Sequence, residues 1–172
     1  MRRLLAARRG DIAGAEALFG TVAATRRELY GPSFSLAVDL LQHGRMLNQL
    51  GQPAEALKAI DEARSMAAEH FGPKGSLPLL IDLSRADALI GLDRIAEAQA
   101  TLAAVEPRMR EYGKDSIENG SLLLVRAQIA FKQGDAVAAV ATLNEAEKIF
   151  RSMGPAGAGY LQNVEALKRQ KP

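Results

Sequence analysis

Two histidines are the side chains in this sequence best suited to general acid–base chemistry. His43 follows Asp39 by four residues, which on a helix places the two side chains about one turn apart on the same face. A catalytic pair of this kind also needs a nucleophile beside it, and none is recognisable there. We therefore interpret His43 and Asp39 as an ordinary helix pair, and His70 as a last-turn side chain favoured by the helix dipole.

Other motifs of catalysis are missing from the sequence. It has no nucleophile elbow, phosphate loop, dinucleotide fingerprint or metal-spaced cluster. It contains no cysteine, which excludes disulfides, thiolate chemistry and cysteine zinc sites. The glycine-rich run at 154–159 follows no strand, so we do not interpret it as a nucleotide loop. The expectation is a protein that is not an enzyme, with no catalytic residue, no metal site and no cofactor.

The elements that carry these side chains are marked by a repeated signal, a bulky residue followed by glycine. A glycine after a long apolar-periodic run suits the left-handed position that ends a helix, and the prolines and serines that follow suit the start of the next one. The bulky residue is expected to stay in the core. These glycines, spaced 41 residues apart, are Gly31, Gly72, Gly113 and Gly154.

A second turn within each unit divides it into two helices, A and B. Asp11, Asp93 and Asp135 suit the N-caps that follow these turns, and Ser33, Ser76 and Ser116 suit those of the A helices. Because Asp93 stands where the other turns have glycine, we expect the third turn to be reshaped. Apolar periodicity predicts B helices at about 12–29, 53–70, 94–111 and 136–152, and A helices at about 34–50, 77–90 and 117–132.

Composition agrees with an all-α protein. Apolar residues make up 48% of the 172 residues and aromatic residues only 5%, which suits helices packed through small and aliphatic side chains. No apolar run approaches the roughly 18 residues of a membrane span, and the N-terminal apolar stretch is too short for a secretion signal. We expect a soluble, cytoplasmic protein without a membrane partner. A net charge of only +2 argues against a nucleic-acid partner.

The turns and B helices resemble the tetratricopeptide repeat. The resemblance lies in Gly51-Gln52-Pro53-Ala54-Glu55-Ala56-Leu57 followed by Glu62-Ala63, in Gln133-Gly134-Asp135 followed by Ala139, Leu143 and Ala146, and in the small helix A residues Gly44, Ala86 and Ala127. The period of about 41 to 42 residues exceeds the usual 34 and is similar to the longer variant of kinesin light chains and many bacterial regulatory proteins. The resemblance implies a right-handed α-solenoid of stacked helix pairs.

The resemblance covers the whole chain and implies a single domain, 1–172. It divides this domain into a partial repeat at 1–32, repeats at 33–73, 74–114 and 115–155, and an end helix at 156–172. In that register Met1 falls in the middle of a helix A, so we expect the chain to be part of a longer protein or to have lost its first helix. One apolar stripe would cap the last repeat, and it consists of Tyr160, Leu161, Val164 and Leu167. Gln162, Glu165 and Arg169 are expected on the opposite, solvated face.

Stacked helix pairs of this kind offer a concave face lined by the A helices. One column there is entirely leucine, and it is either an apolar strip for a partner or core packing between neighbouring A helices. The columns beside it are mixed. The predicted partner-binding residues of this face are Leu41, Arg45, Leu83, Asp87, Leu124, Gln128 and Phe131.

Basic side chains recur at a further position of helix A, at His43, Arg85 and Arg126, and at Arg2 in the truncated first repeat. This column could hold an acidic ligand or partner segment. The alternative is that the arginine stems cover apolar surface and the head groups pair locally, as Arg85 could with Asp82. Arg85 and Arg126 are thus additional candidates for partner binding.

These observations predict a non-catalytic protein–protein interaction module that binds a protein or peptide segment in its concave groove. One alternative is a ligand-sensing regulatory domain of a larger transcription regulator or kinase. Another is a self-associating scaffold, a homodimer through the truncated first repeat, which would leave Leu4, Leu5 and the facing side of the first B helix uncovered.

Overall fold

The chain folds into helices joined by short turns. The structure is a computed structural model that describes residues 11–70, 72 and 74–169. Within these residues it contains eight α-helices and two short 3₁₀ helices and no strand, so the all-α prediction is confirmed. The α-helices are α1 (Ile12–Tyr30), α2 (Phe34–Gln49), α3 (Pro53–His70), α4 (Ser76–Gly91), α5 (Ile95–Val105), α6 (Ile117–Lys132), α7 (Ala136–Ser152) and α8 (Ala158–Arg169), and the 3₁₀ helices are Glu106–Glu111 and Gly154–Gly157.

Neighbouring helices pack as pairs that stack along the chain. The A helices are α2, α4 and α6, and each packs against the B helix that follows it, α3, α5 and α7. Successive A helices also contact one another, while α8 packs on α7. This is the predicted helical repeat solenoid, with the A helices forming its inner row. None of the described helices is both long enough and apolar enough to cross a membrane.

The three A–B turns have the same backbone structure. Gly51, Asp93 and Gly134 all take the left-handed conformation, with φ of 75°, 60° and 81°. In each turn the same two amide hydrogen bonds return to the end of the A helix, as in Gly51 N to Asn48 O and Asp93 N to Ile90 O, both 3.0 Å. The expected reshaping of the turn at Asp93 is therefore wrong, because aspartate tolerates the left-handed region at modest cost.

The helix caps follow the sequence in four of the six predicted positions. Asp11, Ser33, Ser116 and Asp135 each accept a hydrogen bond from a first-turn amide. Ser76 instead is the first residue of α4, and its hydroxyl donates to the carboxylate of Glu118 on α6. Asp93 is not a cap because it has become the left-handed residue of its turn.

The third B helix is shorter than the predicted 94–111. It ends at Val105 and continues as the 3₁₀ helix that contains Pro107. Proline lacks the amide hydrogen of a helix interior and its ring clashes with the carbonyl four residues earlier, so the α-helix cannot pass through it. The chain bends there and returns Met109 and Tyr112 to the core.

The bulky residue before each glycine is not always buried. Tyr112 and Met153 pack against the core, but Tyr30 is 73% exposed, so that prediction is wrong for Tyr30. Unlike the third B helix, α1 is unbroken up to Tyr30. Leu29 and Phe34 beside it are also exposed, which leaves an apolar corner between α1 and α2. The corresponding Phe71 lies outside the described residues.

Small residues on the A helices allow the close helix crossings that the repeat requires. A Cβ atom on Gly44 would lie 2.6 Å from the side chain of Ile60 on α3. Ala86 and Ala127 at the matching positions are fully buried. Each pair therefore packs tightly, and the stack holds the A-helix side chains in fixed positions on the inner face.

Candidate functional site

Three A helices contribute polar side chains to one hydrogen-bonded group on the inner face, which we call the polar ladder (Asn48, Asp87 and Gln128). Asn48 Nδ2 on α2 donates to Asp87 Oδ2 at 2.6 Å, and Gln128 Nε2 on α6 donates to Asp87 Oδ1 at 2.5 Å. Asp87 lies on α4 between them. The ladder ties three successive repeats together and brings two predicted lining residues, Asp87 and Gln128, into direct contact.

Asp87 is an unusual carboxylate for this protein. Burial raises its pKa above the ordinary 3.8, against the hydrogen bonds from Gln128 and Asn48 and the attraction of Arg45, which lower it. Within residues 11–70, 72 and 74–169 it forms no salt bridge. Asp39, which is buried, is by contrast paired with Arg26 at 2.8 Å. Asp87 is therefore stabilised by neutral amides and by a cation that it does not contact.

Arg45, a further predicted lining residue, reaches across the concave face to the end helix. Its Nη1 donates to Tyr160 Oη at 2.8 Å, and its guanidinium carbon lies 4.3 Å from the centre of the Tyr160 ring. The other face of this aromatic group is supported by Phe150, whose ring stacks on Tyr160 with centroids 4.6 Å apart. Because Arg45 belongs to α2 and Tyr160 to α8, the array curls until these two helices meet.

Two cavities lie between the A helices and α8. Cavity 1 has a volume of ≈ 440 Å³ and is lined by the polar ladder, the last turns of the A helices and one side of α8. Cavity 2, of ≈ 370 Å³, is lined by α1, α2 and the start of α8, with Arg45 and Tyr160 in its wall. A gap of only ≈ 30 Å³ beside Arg45, Asp87 and Tyr160 separates the leucines of the inner face from α8.

The leucine column predicted to line the groove lies in the core. Leu41, Leu83 and Leu124 are only 2%, 2% and 6% exposed, and Leu83 and Leu124 border the small gap. Leu41 and Leu83 belong to one cluster of buried apolar side chains and Leu124 to another, so they pack the core and offer little surface to a partner. Phe131 is partly buried against the cluster that contains Leu124. The cavities beside α8 are instead lined by both apolar and hydrogen-bonding side chains.

The basic column forms ion pairs between successive repeats. Arg85 Nε lies 2.8 Å from Asp61 on α3, and Arg126 Nη2 lies 2.7 Å from Glu106 in the 3₁₀ helix after α5. The expected local pair of Arg85 with Asp82 does not form. Neither arginine lines cavity 1, cavity 2 or the gap between them. Arg85 lines a separate cavity of ≈ 310 Å³ together with Arg64 and Glu97, and partner binding by Arg85 and Arg126 stays a prediction. Arg2 lies outside the described residues.

His43 belongs to the same column and pairs in the same way. Its Nε2 lies 2.7 Å from Glu16 on α1, so the predicted pair with Asp39 is wrong, and Asp39 instead pairs with Arg26 of α1. A preceding helix supplies a closer partner than the same helix does. His70 at the end of α3 lies 3.8 Å from the neighbouring Glu69.

The end helix supplies lining residues that sequence reasoning missed. Tyr160, Val164 and Leu167 are buried, which agrees with the predicted apolar stripe. Gln162, however, lines both cavities rather than facing open solvent, and Asn163 lines cavity 1. No sequence signal predicts this, because the meeting of α8 with α2 depends on the curvature accumulated over three repeats.

The arrangement offers hydrogen-bonding groups to a polar ligand. Within the described part of the chain no group of three histidine, aspartate or glutamate side chains could hold a metal ion. The amide side chains of Asn48 and Gln128 instead bind the Asp87 carboxylate, and those of Gln49, Gln162 and Asn163 line the same cavity. Such groups donate and accept hydrogen bonds without themselves titrating near neutral pH.

Comparison with known proteins bears on one part of the chain. Residues 4–35 match a family model described as Tetratricopeptide repeat. Of these, residues 11–35 are described, and they form α1 and the start of α2. No curated protein and no solved structure gives a match. The match, together with the stacked helix pairs, supports a tetratricopeptide repeat family for this chain.

Proposed function

We propose that this chain is a non-catalytic interaction module that binds a segment of another protein on its concave face, between the A helices and α8. Tetratricopeptide repeats generally mediate protein–protein interaction. The observation that carries the proposal is the pair of cavities lined by hydrogen-bonding side chains from successive repeats. A surface of this kind suits a chain segment laid across several repeats.

The chemistry of the cavities supports a peptide ligand. Cavity 1 and cavity 2 measure ≈ 440 and ≈ 370 Å³, within the range of about 300 to 1,000 Å³ that ligand sites occupy. A peptide backbone presents N–H and C=O groups in alternation, and side-chain amides satisfy both kinds of group. The amides of Gln49 and Gln162, which line both cavities, lie where one segment could contact them across the whole face.

Capture of binding proteins from a cell lysate tests the proposal. The wild-type chain is compared with Gln162→Arg, which places a long charged side chain in the wall of both cavities. Gln99→Arg on the exposed face of α5 is the matched control, since it makes the same substitution outside both cavities. Proteins retained by the wild type and the control but lost by Gln162→Arg support the groove as the binding surface. Equal retention by all three chains refutes it.

Self-association is a second candidate, favoured by the apolar corner between α1 and α2. Leu29, Tyr30 and Phe34 are 66%, 73% and 55% exposed. The residues on which this alternative first depended, Leu4 and Leu5, lie outside the described part of the chain. A mass that rises with concentration in light scattering, and falls to that of the monomer in Tyr30→Ser, would favour self-association. A mass that stays monomeric at all concentrations would exclude it.

A further inference from the structure

We propose that cavity 1 binds an alkyl cation, the ammonium or guanidinium group of a lysine or arginine side chain in the bound segment, through the carboxylate of Asp87. The proposal rests on the proposed function and names the chemistry of the partner. A free alkylamine or alkylguanidine has the same chemistry, so the experiment below separates the two sources.

The first argument is the unmatched charge of the polar ladder. Asp87 accepts one hydrogen bond at each carboxylate oxygen, from Asn48 and from Gln128, and both donors are neutral. A carboxylate can accept about four hydrogen bonds, so each oxygen retains accepting capacity. Asp39 and Asp61 each have an arginine within 2.8 Å, whereas no described residue forms a salt bridge with Asp87. Among the described residues, cavity 1 therefore contains a carboxylate without a contacting cation.

The second argument is the direction of the helices around the cavity. The last residues of α2, α4 and α6 are Gln49, Gly91 and Lys132, and all three line cavity 1. Each helix carries a partial negative charge of roughly one half of an elementary charge at its C-terminus. Three such ends beside one carboxylate make this cavity favourable for a cation and unfavourable for an anion.

The cations already near the cavity are engaged by other groups. Lys132 Nζ lies 2.9 Å from Asp93. Arg45 donates to the hydroxyl of Tyr160 and lies over its ring. The attraction of Arg45 therefore reaches Asp87 only from a distance, and burial still raises the pKa of the Asp87 carboxyl. A ligand cation beside Asp87 would offset the cost of burying the ionised carboxylate and so lower that pKa.

The walls of the cavity suit the hydrocarbon part of such a ligand. Pro53, Ile90 and Leu167 line cavity 1 together with Ala166. Lysine and arginine side chains place their methylene groups along apolar surface while the charged head reaches a polar group. A cavity with apolar walls and a carboxylate among amides therefore matches an alkyl cation better than a neutral or wholly polar group.

Titration of the full chain by NMR, with ¹H–¹⁵N spectra of backbone and side-chain amides, tests the proposal. The probes are the peptide acetyl-Ala-Ala-Arg-Ala-Ala-amide, its citrulline analogue, which keeps the shape but lacks the charge, and free agmatine. We expect the arginine peptide to cause saturable shifts at the side-chain amides of Asn48 and Gln128, and the citrulline peptide to bind at least about tenfold more weakly, because a charge-assisted hydrogen bond is lost. The peptide and agmatine affinities identify the preferred source.

Two variants establish that Asp87 is responsible. Asp87→Asn should weaken binding of the arginine peptide by at least about tenfold. Asp61→Asn, which removes the same charge outside cavity 1, should leave the affinity unchanged. Gln162→Lys, which places a resident cation in the wall of cavity 1, should also weaken it and serves as a second variant should Asp87→Asn lose helicity by circular dichroism.

Equal affinity for the arginine and citrulline peptides, no shift with any charged probe, or equal effects of the Asp87 and Asp61 substitutions would overturn the inference. Different outcomes would refute the proposed function and the cation site. A segment captured through the groove whose binding is equal in the wild type and in Asp87→Asn leaves the function standing and removes the cation site. Binding of agmatine alone, with no protein captured by the groove, refutes the proposed function and assigns the site to a free cation.

Discussion

Replacing Tyr160 by phenylalanine and Arg45 by methionine should reveal energetic coupling between helices that are distant in the repeat array. Where each repeat contacts only its neighbours, substitutions on α2 and α8 would be additive. Here Arg45 donates to the Tyr160 hydroxyl at 2.8 Å and lies 4.3 Å from its ring centre. The two substitutions remove the same contact, so their effects on the free energy of unfolding should not add.

The magnitude follows from the two parts of the contact. A hydrogen bond from a charged donor contributes about 1.5–3 kcal/mol, and a cation–π contact about 0.5–2 kcal/mol. Arg45 is only half-buried, so when Tyr160 is substituted water replaces part of the hydrogen bond and part of the cation–π contact. We expect a coupling of about 1 kcal/mol between Arg45→Met and Tyr160→Phe, which removes the hydroxyl alone, and about 2 kcal/mol with Tyr160→Leu, which also removes the ring.

Urea unfolding of the wild type, the single variants and the double variants, followed by circular dichroism, measures this coupling. Equal slopes against urea would show that the transitions are comparable. Tyr112→Phe is the matched control because Tyr112 packs on the core beside the third repeat and does not contact Arg45. Its effect should add to that of Arg45→Met. Hydrogen exchange should also accelerate in α8 of the Tyr160 variants but not in the control.

A coupling within about 0.5 kcal/mol of zero for both Tyr160 substitutions would refute the reasoning. It would mean that α8 and α2 do not meet in solution. Cavity 1 and cavity 2 would then be open on the side that α8 covers in the structure, and residues of α8 would leave the proposed binding surface.

Three further predictions concern the inner face, the end helix and the ion pairs. Burial raises the pKa of Asp87, so the folded chain keeps this proton to higher pH than the unfolded chain does, and folding loses stability as pH rises from about 4 toward that pKa. In urea unfolding at pH 4 to 7, the stability of Asp87→Asn relative to the wild type should therefore increase with pH. A decrease with pH would contradict this. Gly157→Ala should lower the free energy of unfolding by about 1–3 kcal/mol because its Cβ would lie 1.9 Å from a backbone carbonyl oxygen of α7. The control Gly159→Ala should be neutral or stabilising, since a Cβ there meets nothing within 4 Å. Equal effects of the two substitutions would be inconsistent with the packing. Arg126→Gln should cost less than about 1 kcal/mol in the same assay because its pair with Glu106 is exposed, and a larger loss would indicate another role.

The local features of the fold were predictable because they depend on short stretches of sequence. Apolar periodicity gave α1 and α7 to within one residue, and the caps at Ser33 and Ser116 formed as expected. The left-handed Asp93 shows where this reasoning stops. Its strain is about 1–2 kcal/mol, and the helices on both sides, held by packing, impose the same turn as glycine does elsewhere.

The contacts of the site were less predictable because they depend on which helices approach one another. Spacing along one helix suggested that His43 pairs with Asp39 and Arg85 with Asp82, yet each of these basic residues found its partner on the preceding B helix. Helix spacing identifies neighbours on one helix but carries no information about side chains brought by another. The polar ladder and the contact of Arg45 likewise depend on the curvature of the whole array.

The contact between Arg45 and Tyr160 also constrains how many helix pairs lie between α2 and α8. An open solenoid can lengthen by duplicating one unit, because each unit needs only its neighbours. A further helix pair inserted between α2 and α8 would move the tyrosine by about 10 Å, the width of a packed helix, and its hydroxyl would no longer reach the guanidinium. Gain or loss of one helix pair between α2 and α8 should therefore break this contact, which favours the present number of units over one more or one fewer.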